Sequence, residues 1–308
     1  MVSPVAVASG LAEAQQPGAA VGDHGTPTGL IAMPVTSRPW VRVVVTIGGI
    51  AIAVETRSQP FASRLRRRYA GFIAEHLMAD FRFRVDLVIR PRRLHGYSEG
   101  LEVVCRDALW HLQRGDFRAT WDMRRRQGWV QQTDVLHGLD AALRIVHSLI
   151  LAEEGGFLVH AASLVRHGRA WAFAGVSGSG KTTMARLAPP DTTLFSDEVT
   201  YVRPCTAANG SPGYQAYGNP FYGELQKSGV NIGAPLVQLC LLEQGKGHRL
   251  QAVARGEAVR ALLRHVMCFS RDRALANRLF ESVCAFVDRV PVTRLTFARD
   301  PGVWELMR

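Results

Sequence analysis

Residues 175 to 182 read Gly175-Val176-Ser177-Gly178-Ser179-Gly180-Lys181-Thr182, the pattern G-x-x-x-x-G-K-[ST] with every fixed position filled. The flanks supply the context that this pattern needs. The apolar run 170–174 predicts a buried strand, and Thr183-Met184-Ala185-Arg186-Leu187 predicts the first turn of a helix. A glycine-rich turn between strand and helix lets successive backbone N–H groups face one anion, and the helix start adds its positive dipole. The residues from Gly175 to Thr182, with Thr183 behind them, are therefore the candidate nucleotide ligands. Lys181 would reach the terminal phosphates, and the Thr182 hydroxyl would bind Mg²⁺.

Composition bears on the same loop. Of 37 Lys plus Arg residues, three are lysines: Lys181, Lys227 and Lys246. A chain that otherwise writes positive charge as arginine keeps lysine where a compact ammonium suits phosphate better than a planar fork. The net charge of +11 would permit an anionic partner. The clusters Arg64-Leu65-Arg66-Arg67-Arg68, Arg90-Pro91-Arg92-Arg93 and Arg124-Arg125-Arg126 are scattered and lack interleaved aromatics. Solvated surface is thus favoured over a nucleic-acid reader, and docking of an acidic partner stays open. Five cysteines show no CxxC or Cys/His metal spacing, and none demands an oxidising compartment. No apolar run reaches membrane-spanning length, and the N-terminus lacks the basic and apolar regions of a secretory signal, so a cytoplasmic protein is expected.

With 308 residues, one large domain or two smaller ones are affordable. Residues 1–38, rich in Ala, Gly, Pro and Thr and nearly uncharged, are expected to be a disordered leader. Residues 39–153 read as an α+β region: a hairpin over 41–55 turning at Gly48-Gly49, a basic helix over 61–78, strands at 82–89, 101–106 and 117–122, and a helix over 139–153 capped by Gly155-Gly156. Residues 154–308 change in texture. Strands are predicted at 157–162, 170–174, 193–202, 235–243 and 292–297, with helices at 256–270, 273–287 and around Trp304, and a loop over 207–217.

Three further features carry chemistry. Phe195-Ser196-Asp197-Glu198 sets two carboxylates at a strand end, one suited to hold Mg²⁺ and one to take a proton from an attacking hydroxyl. His160 closes a strand upstream of the loop and is expected beside the phosphates. Gly218-Asn219-Pro220-Phe221-Tyr222-Gly223-Glu224 is a rigid loop, with Glu224 a candidate outer metal contact.

The strand ending in His160, the loop 175–182, the Asp197-Glu198 pair, the loop 218–224, Ala234-Pro235-Leu236 and Val290-Pro291-Val292 together resemble the C-terminal domain of HPr kinase/phosphorylase and its relatives. The resemblance covers about the second half of the chain. It implies an α/β fold with the P-loop on a mixed sheet, similar to phosphoenolpyruvate carboxykinase, preceded by a small α+β region. It further implies Lys181 and Thr182 on phosphates and Mg²⁺, Asp197 as catalytic base, Glu198 as metal ligand and His160 near the transferred phosphate. Relatives of this build occur with modified peptides, lasso peptides among them, in which they phosphorylate a serine.

The leading expectation is thus an ATP- and Mg²⁺-dependent kinase acting on a hydroxyl of a peptide or protein. A small-molecule kinase and a non-catalytic ATP-binding switch or chaperone module are the alternatives. A nucleic-acid ATPase and a carboxykinase proper are disfavoured, and homo-oligomerisation is left open.

Overall fold

Short amphipathic strands joined by tight turns build two mixed sheets, described for residues 31–32, 38–89, 100–207 and 209–307 of a computed structural model. The expected leader lies outside these residues except for Arg38 and β1 (Ile31–Ala32), and β1 is not loose chain but pairs with 88–89. The arginines at 90–93 also lie outside them.

The first sheet comprises β1, β2 (Val41–Ile47), β3 (Ile50–Thr56), β4 (Phe81–Ile89), β5 (Glu102–Arg106), β6 (Leu109–Arg114), β7 (Phe117–Asp122) and β8 (Gln127–Gln132). Its order is β2-β3-β4-β8-β7-β6-β5, with β1 beside β4; β3–β4 and β4–β8 are parallel and the other pairs antiparallel. The β2–β3 hairpin turns at Gly48-Gly49, where φ is +61° and +73°, as its two glycines suggest. Helix α1 (Gln59–Arg68) links β3 to β4. Ser58 caps it, and Phe61, Ala62 and Leu65 are its buried side chains.

The helix expected over 61–78 stops at Arg68. Gly71 takes φ +84°, and the following residues join the edge of β2, with Thr46 N–H donating to Phe72 O and Ala74 N–H to Val44 O. The basic face of α1 is also less open than expected for a docking surface. Arg64 pairs with Asp134, Arg66 with Glu75 and Arg68 with Asp140.

Helix α2 (His137–Glu153) buries most of its side chains and packs on β7 and β8 of the first sheet and on the start of the second. It ends as Gly155-Gly156 implies. Gly155 has φ +75°, Gly156 N–H reaches Leu151 O (2.7 Å) and Gly155 N–H reaches Ala152 O (3.4 Å), a Schellman cap.

The second sheet comprises β9 (Phe157–Val159), β10 (Ala161–Arg166), β11 (Arg169–Ala174), β12 (Thr193–Ser196), β13 (Thr200–Thr206), β14 (Pro212–Tyr217), β15 (Gly233–Gln244), β16 (Arg249–Ala252) and β17 (Val292–Phe297). The order β12-β10-β11-β15-β14-β13-β9 is extended by β17, which lies between β15 and β16. β15 is parallel to β11 and β17, and the remaining pairs are antiparallel. Helix α3 (Lys181–Arg186) follows β11, and α4 (Arg255–Leu263) and α5 (Arg273–Val287) connect β16 to β17. A 3₁₀ turn, Pro301–Leu306, closes the described chain, with Trp304 Nε1–H on Met184 O.

Four expectations change here. The strand 157–162 is two strands broken at His160, and 193–202 is two strands broken at 197–199. The segment 207–217 is not all loop, because 212–217 pairs with β13 and β15. The helix over 256–270 ends at Leu263, since His265 O accepts His160 N–H and Met267 N–H donates to Leu158 O. Among the described residues no helix is long and apolar enough to cross a membrane.

His147 lies fully inside α2's packing. Its Nδ1–H donates to Leu143 O at 2.7 Å, and its ring meets Tyr201 edge-on. Burial, with Arg203 adding to it against the Leu143 bond, lowers its pKa from 6.5 to about 4. The unfolded chain therefore binds this proton first. Stability is full above pH 6.5 and falls as pH drops toward 4. We expect about 2 kcal/mol lost at this site between pH 7 and pH 5. Urea unfolding at the two pH values checks it: the loss should shrink in His147→Leu, whatever that variant's absolute stability.

Candidate functional site

The apolar β11 ends at Ala174, and the chain then turns through 175–180 into α3. Gly178 and Gly180 take φ +78° and +106°, the left-handed region that suits glycine. Gly180 also rests on Phe297 of β17: a Cβ there would lie 2.5 Å from the ring. Gln244, at the end of β15, donates to Gly178 O at 2.5 Å. The end of β15 and its β17 partner thus shape the loop from below.

Lys181 is buried and donates through Nζ to Gly175 O (2.8 Å) and Val176 O (3.1 Å). Burial lowers its pKa, and Glu224 acts on it in the opposite sense. Ser179 is buried with its Oγ unpartnered, whereas Val176 and Ser177 are exposed. Thr182 and Thr183 are half-buried at the start of α3. A loop with glycines in left-handed conformations, an ammonium parked on its own carbonyls and an orphaned hydroxyl fits a polyphosphate.

His160, at the β9–β10 break, is held to about 4 by burial, then by Lys181 and His265, against a bond from the Glu198 backbone. It is therefore neutral at pH 7. Burial lowers the His265 pKa as well, with Lys181 and Arg264 adding to the effect.

The acidic pair occupies the turn after β12. Ser196 Oγ accepts the N–H groups of Glu198 (3.1 Å) and Val199 (3.0 Å), which bends the chain there. Asp197 is 4% exposed, and its Oδ1 accepts Gly223 N–H at 2.8 Å while Oδ2 accepts Leu225 N–H at 2.7 Å. Glu198 Oε1 lies 3.6 Å from Arg144 of α2. Burial raises the Glu198 pKa; Arg144 opposes the shift and Asp197 reinforces it.

The loop 218–225 is held from several sides. Asn219 donates to Val199 O at 2.7 Å and accepts Phe221 N–H at 3.0 Å. Arg144 stacks over Phe221 at 5.0 Å. Arg68 stacks over Tyr222 at 5.1 Å, donates to Pro220 O at 3.0 Å and pairs with Asp140 at 2.9 Å. Tyr69 O–H completes that cluster by donating to Asp140.

The structure thus links Lys181 with His160 and Glu224, His160 with the Glu198 backbone, and Asp197 with the 218–225 loop. Sequence reasoning missed His265, Arg144 and Gln244, and met Arg68 only as part of the basic cluster at 64–68. Arg144 left one trace, as a charge four residues after Asp140 in an otherwise mostly apolar helix. His265 left none, because it falls inside the run that reads as a helix.

Among the described residues no group of three or more His, Cys, Asp and Glu gathers at metal-ligand spacing.

The model of the SynChlorMet cassette protein ScmC family matches residues 130–307, more than half of the chain. The chain belongs to the ScmC family. The match runs from β8 through α2 and the whole second sheet, so it takes in every residue of the site except Arg68 and Tyr69. No curated protein matches the chain.

Arg68→Ala would leave Asp140 facing Tyr69 without its cation and remove the shorter of the two bonds to the Pro220 carbonyl, the other being from Ser228. Both partners are mostly buried, with side-chain exposures of 17% and 12%. The full cost of orphaning a buried charge is discounted for that residual solvent, to about 2 kcal/mol. Urea titration measures it, and Asp140→Asn in the same background should recover part of the loss.

Proposed function

We propose that this protein is an ATP- and Mg²⁺-dependent kinase that phosphorylates a hydroxyl, that of a serine first among candidates, on a peptide or protein. The observation that carries the reading is a glycine loop holding a buried lysine, with Glu224 near enough to act on that lysine and the backbone either side of Glu224 bonded to Asp197. The resemblance to HPr-kinase-like proteins supports it, and membership of a family of cassette proteins is in keeping with an acceptor encoded nearby. Five unpaired cysteines suit the reducing cytoplasm, where ATP is plentiful.

ATP with Mg²⁺ supplies the γ-phosphoryl group and neutralises part of its charge. The chain's own residues then divide the work. The 175–180 backbone receives phosphate oxygens, and Lys181 leaves the Gly175 and Val176 carbonyls to meet the terminal phosphate. Its desolvated charge acts more strongly there than it would in water. Thr182 and Glu198 would hold the metal. His160, neutral at pH 7, offers a hydrogen bond beside the transferred group without adding a second cation. The acidic edge receives the acceptor's proton.

A non-catalytic nucleotide switch is the second reading. One observation favours it: both oxygens of Asp197 are engaged by the 223–225 backbone, as in a loop that responds to a ligand.

Incubation with γ-labelled ATP, Mg²⁺ and serine-bearing peptides, including products of neighbouring genes, tests the proposal. Labelled peptide is expected from the wild type. Lys181→Met is expected to lose at least about a hundredfold in transfer, the scale of losing one charge-stabilising contact. Tight MgATP binding with no labelled product from any acceptor would favour the switch.

A further inference from the structure

We propose that Glu224 is the carboxylate that takes the acceptor's proton, and that Asp197 is a positioning residue that holds Glu224 in place. The inference rests on the kinase reading above and reassigns the base role that resemblance gives to Asp197.

A general base needs an accessible carboxylate with lone pairs to spare. Asp197 is buried, and each of its oxygens already accepts a backbone N–H, at 2.8 and 2.7 Å. Glu198 is half-buried, and its Oε1 already faces the Arg144 guanidinium at 3.6 Å. Glu224 is exposed, has no hydrogen bond or ion pair among the described residues, and lies close enough to Lys181 to act on its ammonium.

The backbone carrying Glu224 is fixed on both sides. The two N–H groups that Asp197 binds are those of Gly223 and Leu225, the residues immediately flanking it. Gly223 lies so close to the acidic turn that a Cβ there would be 3.3 Å from both Asp197 Oδ2 and Glu198 Cβ. Asp197 therefore works as a bidentate clip that presents one free carboxylate to the lysine end of the site.

In the step this implies, the acceptor oxygen bonds to the γ-phosphorus as the bond from that phosphorus to the β–γ bridging oxygen breaks. The hydroxyl proton passes to the Glu224 carboxylate, and ADP leaves with the bonding pair. Water can stand in for the acceptor hydroxyl, which makes the step measurable without knowing the peptide.

The test uses the full chain, with MgADP binding by calorimetry, melting temperature and ADP release from MgATP in water. Glu224→Gln should bind MgADP and melt like the wild type while releasing ADP about a hundredfold more slowly. Asp197→Asn should melt lower and also slow release. In the double variant, release should be no slower than in Glu224→Gln alone, because a residue that acts through Glu224 has nothing left to position. A wild type that binds no MgADP would overturn the kinase reading itself. With binding intact, wild-type release rates in Glu224→Gln, a further loss in the double variant, or a wild type that releases no ADP would each overturn this assignment alone.

Discussion

Strand β15 is the constraint on which the site depends. Its first residues pair with β14, its middle runs parallel to β11, and its last half runs parallel to β17. Each pairing sets one wall. β11 delivers the chain to the glycine loop, and β14 leads into the 218–225 loop. The terminal β15–β17 pair, Gln244 and Phe297, lies under the glycine loop, one donating to Gly178 O and the other excluding a Cβ at Gly180. A register slip in a strand exchanges its two faces. Sliding β17 by one residue would therefore remove the ring beneath Gly180 and deform the loop without changing any residue of the loop itself.

Burial then sets the charge pattern. Lys181, His160 and His265 are all pushed toward their neutral forms by desolvation, the histidines further by Lys181 itself. The two histidines yield, because an imidazole near neutrality sheds its proton at far less cost than an ammonium. The outcome is that Lys181 keeps its charge beside two uncharged rings, with Glu224 near enough to act on it. On the kinase reading, an anionic ligand would be met chiefly by backbone N–H groups and Lys181, with little added repulsion from the two rings.

Much of this was legible in the sequence, though unevenly. The glycine loop, the Gly155-Gly156 cap and the Gly48-Gly49 hairpin all announce themselves because glycine is the residue their dihedral angles require. β6 and β8 escaped notice for the converse reason. The turns leading into them place Asp107, Ala108 and Arg126 at positive φ, with no glycine to mark the bend. His160 and Asp197 interrupt runs that read as continuous strands, since breaks of one and three residues leave periodicity almost intact. The true end of α4 depends on β9 capturing 265–267, a contact between segments about a hundred residues apart that no local pattern encodes.

The first sheet is more than an appendage to the matched family region. α1 carries Arg68 across to Pro220 and Tyr222, and Asp140 of α2 holds that guanidinium from behind while Tyr69 holds Asp140. α2 contributes Arg144 to Phe221 and Glu198 on the same side. The 218–225 loop is therefore gripped by the first sheet's helices on one flank and by Asp197 on the other. An exposed loop rich in glycine and proline would otherwise sample many conformations, at roughly 1–2 kcal/mol of backbone entropy per residue fixed. Charge-assisted bonds from Arg68 and Asp197, each stronger than a neutral pair, offset that cost at the residues flanking Glu224. Rearrangement of the first sheet would thus be transmitted to the site through Arg68, so a partner bound to that sheet has a direct mechanical route to the loop that carries the free carboxylate.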